Sequence, residues 1–243
     1  MGGPVAQRIE HLPPKQGVAR STRAGPTDRP APFMDIPFFP NTGDGTHCLQ
    51  AALKMALAVH MPKRNFTYEE LDIISMKLPG LWTWPTAAML WMMREGLSLK
   101  LIEEFDYRLF AERGEEYILE RFGPEVGRAQ IENSDIAREV EIARSFVEVA
   151  PIEVRVPGIS DITREIGLGA VVICNINSAA LMGVAGYAGH FVVVCDVVGD
   201  LVTLHDPGLP PRPGLVVSTE EFEKAWAYPE GRDKNLLSIA RAG

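Results

Sequence analysis

The sequence predicts an α+β protein whose helices come first and whose antiparallel strands come second. From residue 48 to about residue 148, apolar residues recur mainly at helical spacing. After residue 150 they form short continuous runs, which are typical of buried strands. A Gly199-Asp200 pair between two such runs indicates a β-hairpin. We therefore expect one domain over residues 34–243, with a helical lobe over 34–150 and an antiparallel β lobe over 151–243.

The helical half is divided by clear start and stop signals. Cys48 is expected to open a helix that runs to about His60, with Thr46 as its N-cap and Pro62 beyond its end. A capping box at Thr67 and Glu70 opens the next helix. Further helical segments are expected over 85–96 and 106–148, the latter broken at Gly123-Pro124 and near Asn133-Ser134.

The strand half is interrupted by two expected helices. Ser160 is the expected cap of a brief helix that ends at Gly167, and Ser218 with Glu221 forms a capping box for a late helix. The expected strands cover residues 97–101, 170–176, 190–198, 201–205 and 236–240.

Composition excludes several classes of function. The formal charge of −8 argues against nucleic acid or an anionic membrane as a partner. No apolar run approaches the roughly 20 residues that a membrane helix needs. The three cysteines have no CxxC spacing, so neither a disulfide framework nor a zinc ribbon is indicated, and a reducing, cytoplasmic setting is expected.

Residues 1–33 differ from the rest of the chain. They hold many prolines, glycines and basic residues and show no apolar period. We expect this leader to be disordered and to carry no chemistry. It resembles the conceptual translation of a transfer-RNA gene more than a transit peptide, which favours Met34 as the natural start.

Cys48 is the first candidate for chemistry. At the N-terminus of a helix, a cysteine lies beside the positive end of the helix dipole, which favours the thiolate. The alternative is a cysteine that serves as a small buried hydrophobe. On this stretch alone, both interpretations are open.

His190 is the second candidate, because it follows Cys48 by about 140 residues, the spacing of papain-like enzymes. It follows the flexible Gly186–Gly189 stretch and opens a strand. Asp206 is the candidate to orient the imidazole. An odd hairpin loop would place Asp206 opposite Val192, on the face of His190, whereas an even loop would place it on the other face.

These residues, with Gly189-His190-Phe191 and Asp206-Pro207-Gly208, resemble the peptidase C39-like family of papain-like cysteine proteases. The resemblance implies a papain-like fold, with the Cys in the helical lobe and the His and Asp in the β lobe. It also implies a nucleophile (Cys48), a general base and acid (His190), an orienting acid (Asp206), and a peptide or amide substrate without a cofactor.

The chain departs from that family at two places. Leu49-Gln50 stand where the family has Gly-Pro, and Thr42 stands where it has a Gln that donates to the oxyanion, with Asn41 beside it. We expect Asn41 to be the donor, with Thr42 as the alternative.

Three other functions stay open from the sequence. The same triad could transfer the acyl group to an amine, or the domain could be an inactive module that binds peptides. A metal site from Cys48, His190 and His205 is the weakest alternative, because no ligand pair has helix or knuckle spacing.

Overall fold

The computed structural model describes residues 34–242, so the predictions for the 1–33 leader lie outside the described residues. These residues form one compact unit. The helices are α1 (Cys48–His60), α2 (Tyr68–Ile74), α3 (Thr86–Arg94), α4 (Tyr107–Arg113), α5 (Glu115–Asn133), α6 (Ile136–Val149), α7 (Ile159–Gly167), α8 (Ser178–Leu181) and α9 (Thr219–Trp226). The strands are β1 (Leu97–Glu103), β2 (Ile152–Glu153), β3 (Val171–Asn177), β4 (Gly189–Val198), β5 (Leu201–Asp206), β6 (Arg212–Ser218) and β7 (Asn235–Arg241).

The strands form one seven-stranded sheet in the order β2-β1-β7-β3-β4-β5-β6. Every neighbouring pair is antiparallel except β1 with β2. The α+β class is therefore confirmed. The expected division into a helical lobe and a β lobe is wrong in one respect, because β1 comes from the helical half and pairs along its whole length with β7.

Hydrophobic residues cover both faces of the sheet. One face packs against α1 to α6 and is the larger core, with Leu53, Met89 and Phe146 almost fully buried. The other face packs against α7 and α9, where α7 contacts β3 and β4, and α9, with Phe222 and Trp226, contacts β3, β5 and β6. The sheet is thus held from both sides, as its continuous apolar strands predict. No helix within residues 34–242 is long and apolar enough to cross a membrane.

Most of the predicted helix starts and ends are confirmed, but two predicted N-caps are wrong. The range of α1, the capping boxes of α2 and α9, and the break at Gly123 are as predicted. Thr46 does not cap α1, because its hydroxyl lies 3.1 Å from an oxygen of Asp44, a charged acceptor that competes with the helix end. Similarly, α7 begins before Ser160, and the cap position belongs to Gly158.

Strand β6 was not expected from the sequence. Its Pro213-Gly214 pair is typical of a turn, yet β6 is the last strand of the sheet. Proline lacks the backbone N–H that a residue in a central strand donates to a neighbouring strand, but an edge strand tolerates it. The missed strand matters, because it carries Arg212 to the candidate site.

A buried ion pair ties the kinked α5 to the segment before β7. The Arg121 guanidinium lies 2.8 Å from Asp233 Oδ1 and also donates to two backbone carbonyls, at Glu104 and Arg232. Both side chains of the pair are less than a tenth exposed. Such a pair is costly to break from one side, because the remaining charge is left without a partner.

We predict that Arg121→Met lowers the free energy of unfolding by about 3–5 kcal/mol, measured by urea denaturation. The matched control is Arg113→Met, which removes surface ion pairs with Glu116 and Glu120 and should cost no more than about 1 kcal/mol. Equal losses from the two substitutions would contradict the role given to the buried pair.

Candidate active site

Cys48 is the first residue of α1, and the loop before it is held by the side chain of Asn41. Asn41 Oδ1 accepts hydrogen bonds from the backbone N–H of His47 at 2.7 Å and of Thr42 at 2.9 Å. The backbone N–H of Asn41 in turn donates to the carbonyl of Pro207 at 2.8 Å. The loop before Cys48 is therefore tied to the turn that follows Asp206.

A β-bulge brings Asp206 to the face of His190. The hairpin loop is the two-residue Gly199-Asp200 turn, since Val198 pairs with Leu201, and an even loop alone would turn Asp206 away. The register between β4 and β5 shifts by one residue at Cys195, however. This bulge restores the alignment, because an extra residue on one strand reverses the faces beyond it.

His190 and Asp206 form a buried pair. His190 Nε2 lies 2.7 Å from Asp206 Oδ1, and the residues are 8% and 1% exposed. Asp206 Oδ1 also accepts the N–H of Gly208 at 2.8 Å, while Asp206 Oδ2 accepts both Nε (2.9 Å) and Nη2 of Arg212. These four donors occupy both oxygens of the carboxylate.

The pair shifts both pKa values toward the charged forms. Burial opposes the charge on His190, but hydrogen bonds to Asp206 and Cys48 outweigh it and raise the pKa of His190 to about 9. Burial likewise disfavours the charged form of Asp206. The hydrogen bond from His190 is the largest of the interactions that outweigh burial and lower the pKa of Asp206 to about 2. An imidazolium and a carboxylate are therefore favoured at neutral pH.

The Cys48 sulfur lies beside His190. Burial raises the pKa of the thiol, but a hydrogen bond and the charge of His190, aided by the backbone N–H groups of Phe191 and Leu49, lower it overall. Because His190 Nε2 faces Asp206, Nδ1 is the nitrogen left for the sulfur.

The other two cysteines have the opposite environment. Cys174 and Cys195 are buried, whereas Cys48 is partly exposed. Burial raises the pKa of Cys174 far above the ordinary value and that of Cys195 to about 12. Cys48 is the one thiol among the three whose surroundings favour the thiolate.

His205 points away from this site, on the strand face opposite to Asp206. Its Nε2 lies 2.9 Å from the carbonyl of Ile36, and its Nδ1 accepts the N–H of Gly214. The part of the chain that the structure describes contains no group of three His, Cys, Asp or Glu side chains that could hold a metal.

The two candidates for the oxyanion donor, Asn41 and Thr42, differ in the hydrogen bonds that their side-chain donors make. The Thr42 hydroxyl lies 2.6 Å from both Asp44 Oδ1 and His47 Nδ1, so its single proton is engaged within the loop. The Asn41 amide is oriented by the two N–H groups that its Oδ1 accepts, and its Nδ2 donates no hydrogen bond within residues 34–242. The Cys48 N–H is likewise unpaired there, as expected in a first helical turn.

Leu49 and Gln50, which stand where the C39-like pattern has Gly-Pro, do not line this site. Leu49 and Gln50 are 1% and 0% exposed, and Gln50 Nε2 donates to Ser75 Oγ at 2.9 Å in the core. These two residues therefore contribute to the packing around α1.

An aromatic cluster near His190 is the main surface feature that the sequence did not predict. Tyr187 stacks on Tyr228 with centroids 5.7 Å apart and meets Trp82 edge-on at 6.3 Å. All three rings are more than a third exposed. They come from three separate loops, so no local pattern could have joined them.

Neither a family model nor a curated protein sequence matches the chain. The geometry of Cys48, His190 and Asp206 is therefore the basis for any functional proposal.

Gly208 makes a close approach that the pair requires. A Cβ at this position would lie 2.9 Å from Asp206 Oδ1 and 3.4 Å from His190 Nε2. We predict that Gly208→Ala separates the pair, which should remove the downfield proton NMR signal of the hydrogen-bonded His190 Nε2–H.

Gly43→Ala is the matched control, because a Cβ there meets nothing within 4 Å. It should leave the downfield signal in place. Persistence of that signal in Gly208→Ala would contradict the packing described for the pair.

Proposed function

We propose that this chain is a papain-like cysteine hydrolase that cleaves a peptide or another amide bond. The observation that carries the proposal is the placement of a partly exposed cysteine, on the first turn of α1, beside a histidine that is hydrogen-bonded to a buried aspartate. A thiolate, a base and a group that orients the base are what nucleophilic catalysis by cysteine needs. The order Cys, His, Asp along the chain also supports the resemblance to the C39-like family.

Acylation would begin from the thiolate and the imidazolium. Cys48 Sγ attacks the carbonyl carbon, and the carbonyl oxygen becomes an oxyanion that the Cys48 N–H and Asn41 Nδ2 stabilise. His190 then gives its proton to the amide nitrogen as the C–N bond breaks. The products of this step are a thioester on Cys48, a free amine and a neutral imidazole.

Deacylation reverses the roles of the same groups. Neutral His190 takes a proton from water as the water oxygen attacks the thioester carbon. The C–S bond then breaks, which releases the carboxylic acid and restores the thiolate and imidazolium. An amine in place of water would give acyl transfer instead, with the same atoms in the same roles.

The direct test of the function is to trap the acyl-enzyme. We predict that a library of peptide, amide and thioester substrates, screened by intact-mass spectrometry, yields an adduct on the wild-type chain that Cys48→Ala abolishes. Asp206→Asn should keep the fold and lower turnover. If no substrate acylates Cys48, the inactive peptide-binding module replaces the hydrolase.

The environment of Cys48 gives a test that needs no substrate. Because His190 is what offsets the burial of the thiol, we predict that His190→Ala raises the pKa of Cys48 above the ordinary value of about 8.5. The pH dependence of iodoacetamide labelling at Cys48 measures this value. His205→Ala, the control, should leave it unchanged, and a larger effect there would mean that the wrong histidine was assigned.

Asn41 can be tested as an oxyanion donor separately from its role in the loop. Asn41→Asp keeps an oxygen that accepts the N–H groups of His47 and Thr42 but loses the Nδ2 donor. On a substrate from the screen, we predict that Asn41→Asp and Asn41→Ala both lower kcat by roughly a hundredfold or more, since a lost donor costs about 2.7–4 kcal/mol.

Two outcomes would contradict that assignment. Recovery of kcat in Asn41→Asp alone would show that the loop contact, and not the donor, is what matters. A neutral Asn41→Ala with a disabling Thr42→Val would assign the oxyanion to Thr42. Labelling of Cys48 by iodoacetamide serves as the control, because alkylation forms no oxyanion.

A further inference from the structure

The Asp206 carboxylate is shared between a histidine and an arginine. Oδ1 faces His190, and Oδ2 receives two donors from the Arg212 guanidinium, which reaches the site from β6. The carboxylate is almost fully buried, whereas the Arg212 side chain is 31% exposed. Arg212, the second partner of the carboxylate, has no role in the acylation and deacylation steps of a Cys-His-Asp mechanism.

We propose that Arg212 is a positioning residue that fixes the orientation of Asp206 and limits the basicity of His190. The inference rests on the proposed function, because the basicity of His190 matters for transfer of its proton to a leaving group. It adds a fourth residue to the site.

The first part of the role is geometric. Two parallel N–H donors on one carboxylate oxygen, with Gly208 on the other, leave the group one orientation. In that orientation Oδ1 faces His190 Nε2. A carboxylate held only by His190 and Gly208 would have an oxygen buried without a partner, which is costly.

The second part is electrostatic. A carboxylate that faces an imidazolium stabilises it and raises its pKa. The positive charge of Arg212 opposes this effect, and the four groups Cys48, His190, Asp206 and Arg212 then sum to zero charge in the ion-pair state. Without Arg212 the sum is −1, and His190 would hold its proton more tightly. General acids work best when their pKa lies near the working pH.

The charged and titratable groups that face His190 come from a few elements. They are Cys48 from α1, Asp206 from β5 and, through Asp206, Arg212 from β6. Tyr187, in the loop before β4, is neutral at neutral pH, as a tyrosine with an ordinary pKa of about 10 already is. Asn175 of β3 receives the backbone N–H of His190 and carries no charge.

The test compares Arg212→Gln with Arg212→Lys in the full chain, by NMR titration of the His190 ring and by the pH dependence of Cys48 alkylation. A unit charge about 6 Å away changes a pKa by roughly 0.5 to 2 units. Arg212→Gln should therefore raise the pKa of His190 by about that amount. Arg212→Lys, which keeps the charge, should show less than half of the shift, and the remote Arg108→Gln should show none.

If Arg212→Gln does not fold, the comparison is made in the Asp206→Asn background, where no buried carboxylate is left without a partner. There, adding Arg212→Gln should still raise the pKa of His190. An unchanged pKa in both comparisons would overturn the inference. Failure of the proposed function is a separate result: no substrate would then acylate wild-type Cys48, whatever Arg212 does to the pKa of His190.

Discussion

Asp206 is a carboxylate with almost no access to water, and a charge in that position needs partners for its lone pairs. It finds them on three neighbouring parts of the chain: His190 on β4, the N–H of Gly208 in the turn, and Arg212 on β6. The burial of one charge thus fixes the relative positions of the groups around it. The orientation of the imidazole toward Cys48 follows from this arrangement.

A second contact joins the helix that carries Cys48 to the same turn. Asn41 accepts two N–H groups of the loop before α1 through its side chain and donates to Pro207 through its backbone. Cys48 and Asp206, which are far apart in sequence, are thereby connected by one residue. The proposed oxyanion donor is also the residue that holds the two halves of the site together.

Periodicity and caps predicted the regular elements well, because those signals are local. Helix α1 and the β4–β5 hairpin follow from the spacing of apolar residues and from turn residues. The path of β1 into the sheet could not be predicted, because pairing with β7 joins residues more than 130 positions apart. Thr46 and Ser160 show the limit of cap signals, since a competing acceptor or an earlier start overrides them.

The candidate site was predictable in its residues and not in its geometry. Spacing and chain order pointed to Cys48, His190 and Asp206, but the hairpin loop alone would have separated the last two. The bulge at Cys195 has no turn residue to mark it, and Arg212 lies on a strand whose sequence is typical of a turn. Both features depend on contacts between strands, which a single sequence does not display.

We propose that Cys48 and His190 form a thiolate–imidazolium pair in the resting protein. The most direct measurement is the ultraviolet absorbance of the thiolate across pH, taken as the difference between the wild-type chain and Cys48→Ser. We expect this absorbance to be present at neutral pH and to disappear only well below the ordinary thiol pKa of about 8.5. If the absorbance appears only at or above that pH, Cys48 is an ordinary thiol and does not form an ion pair with His190.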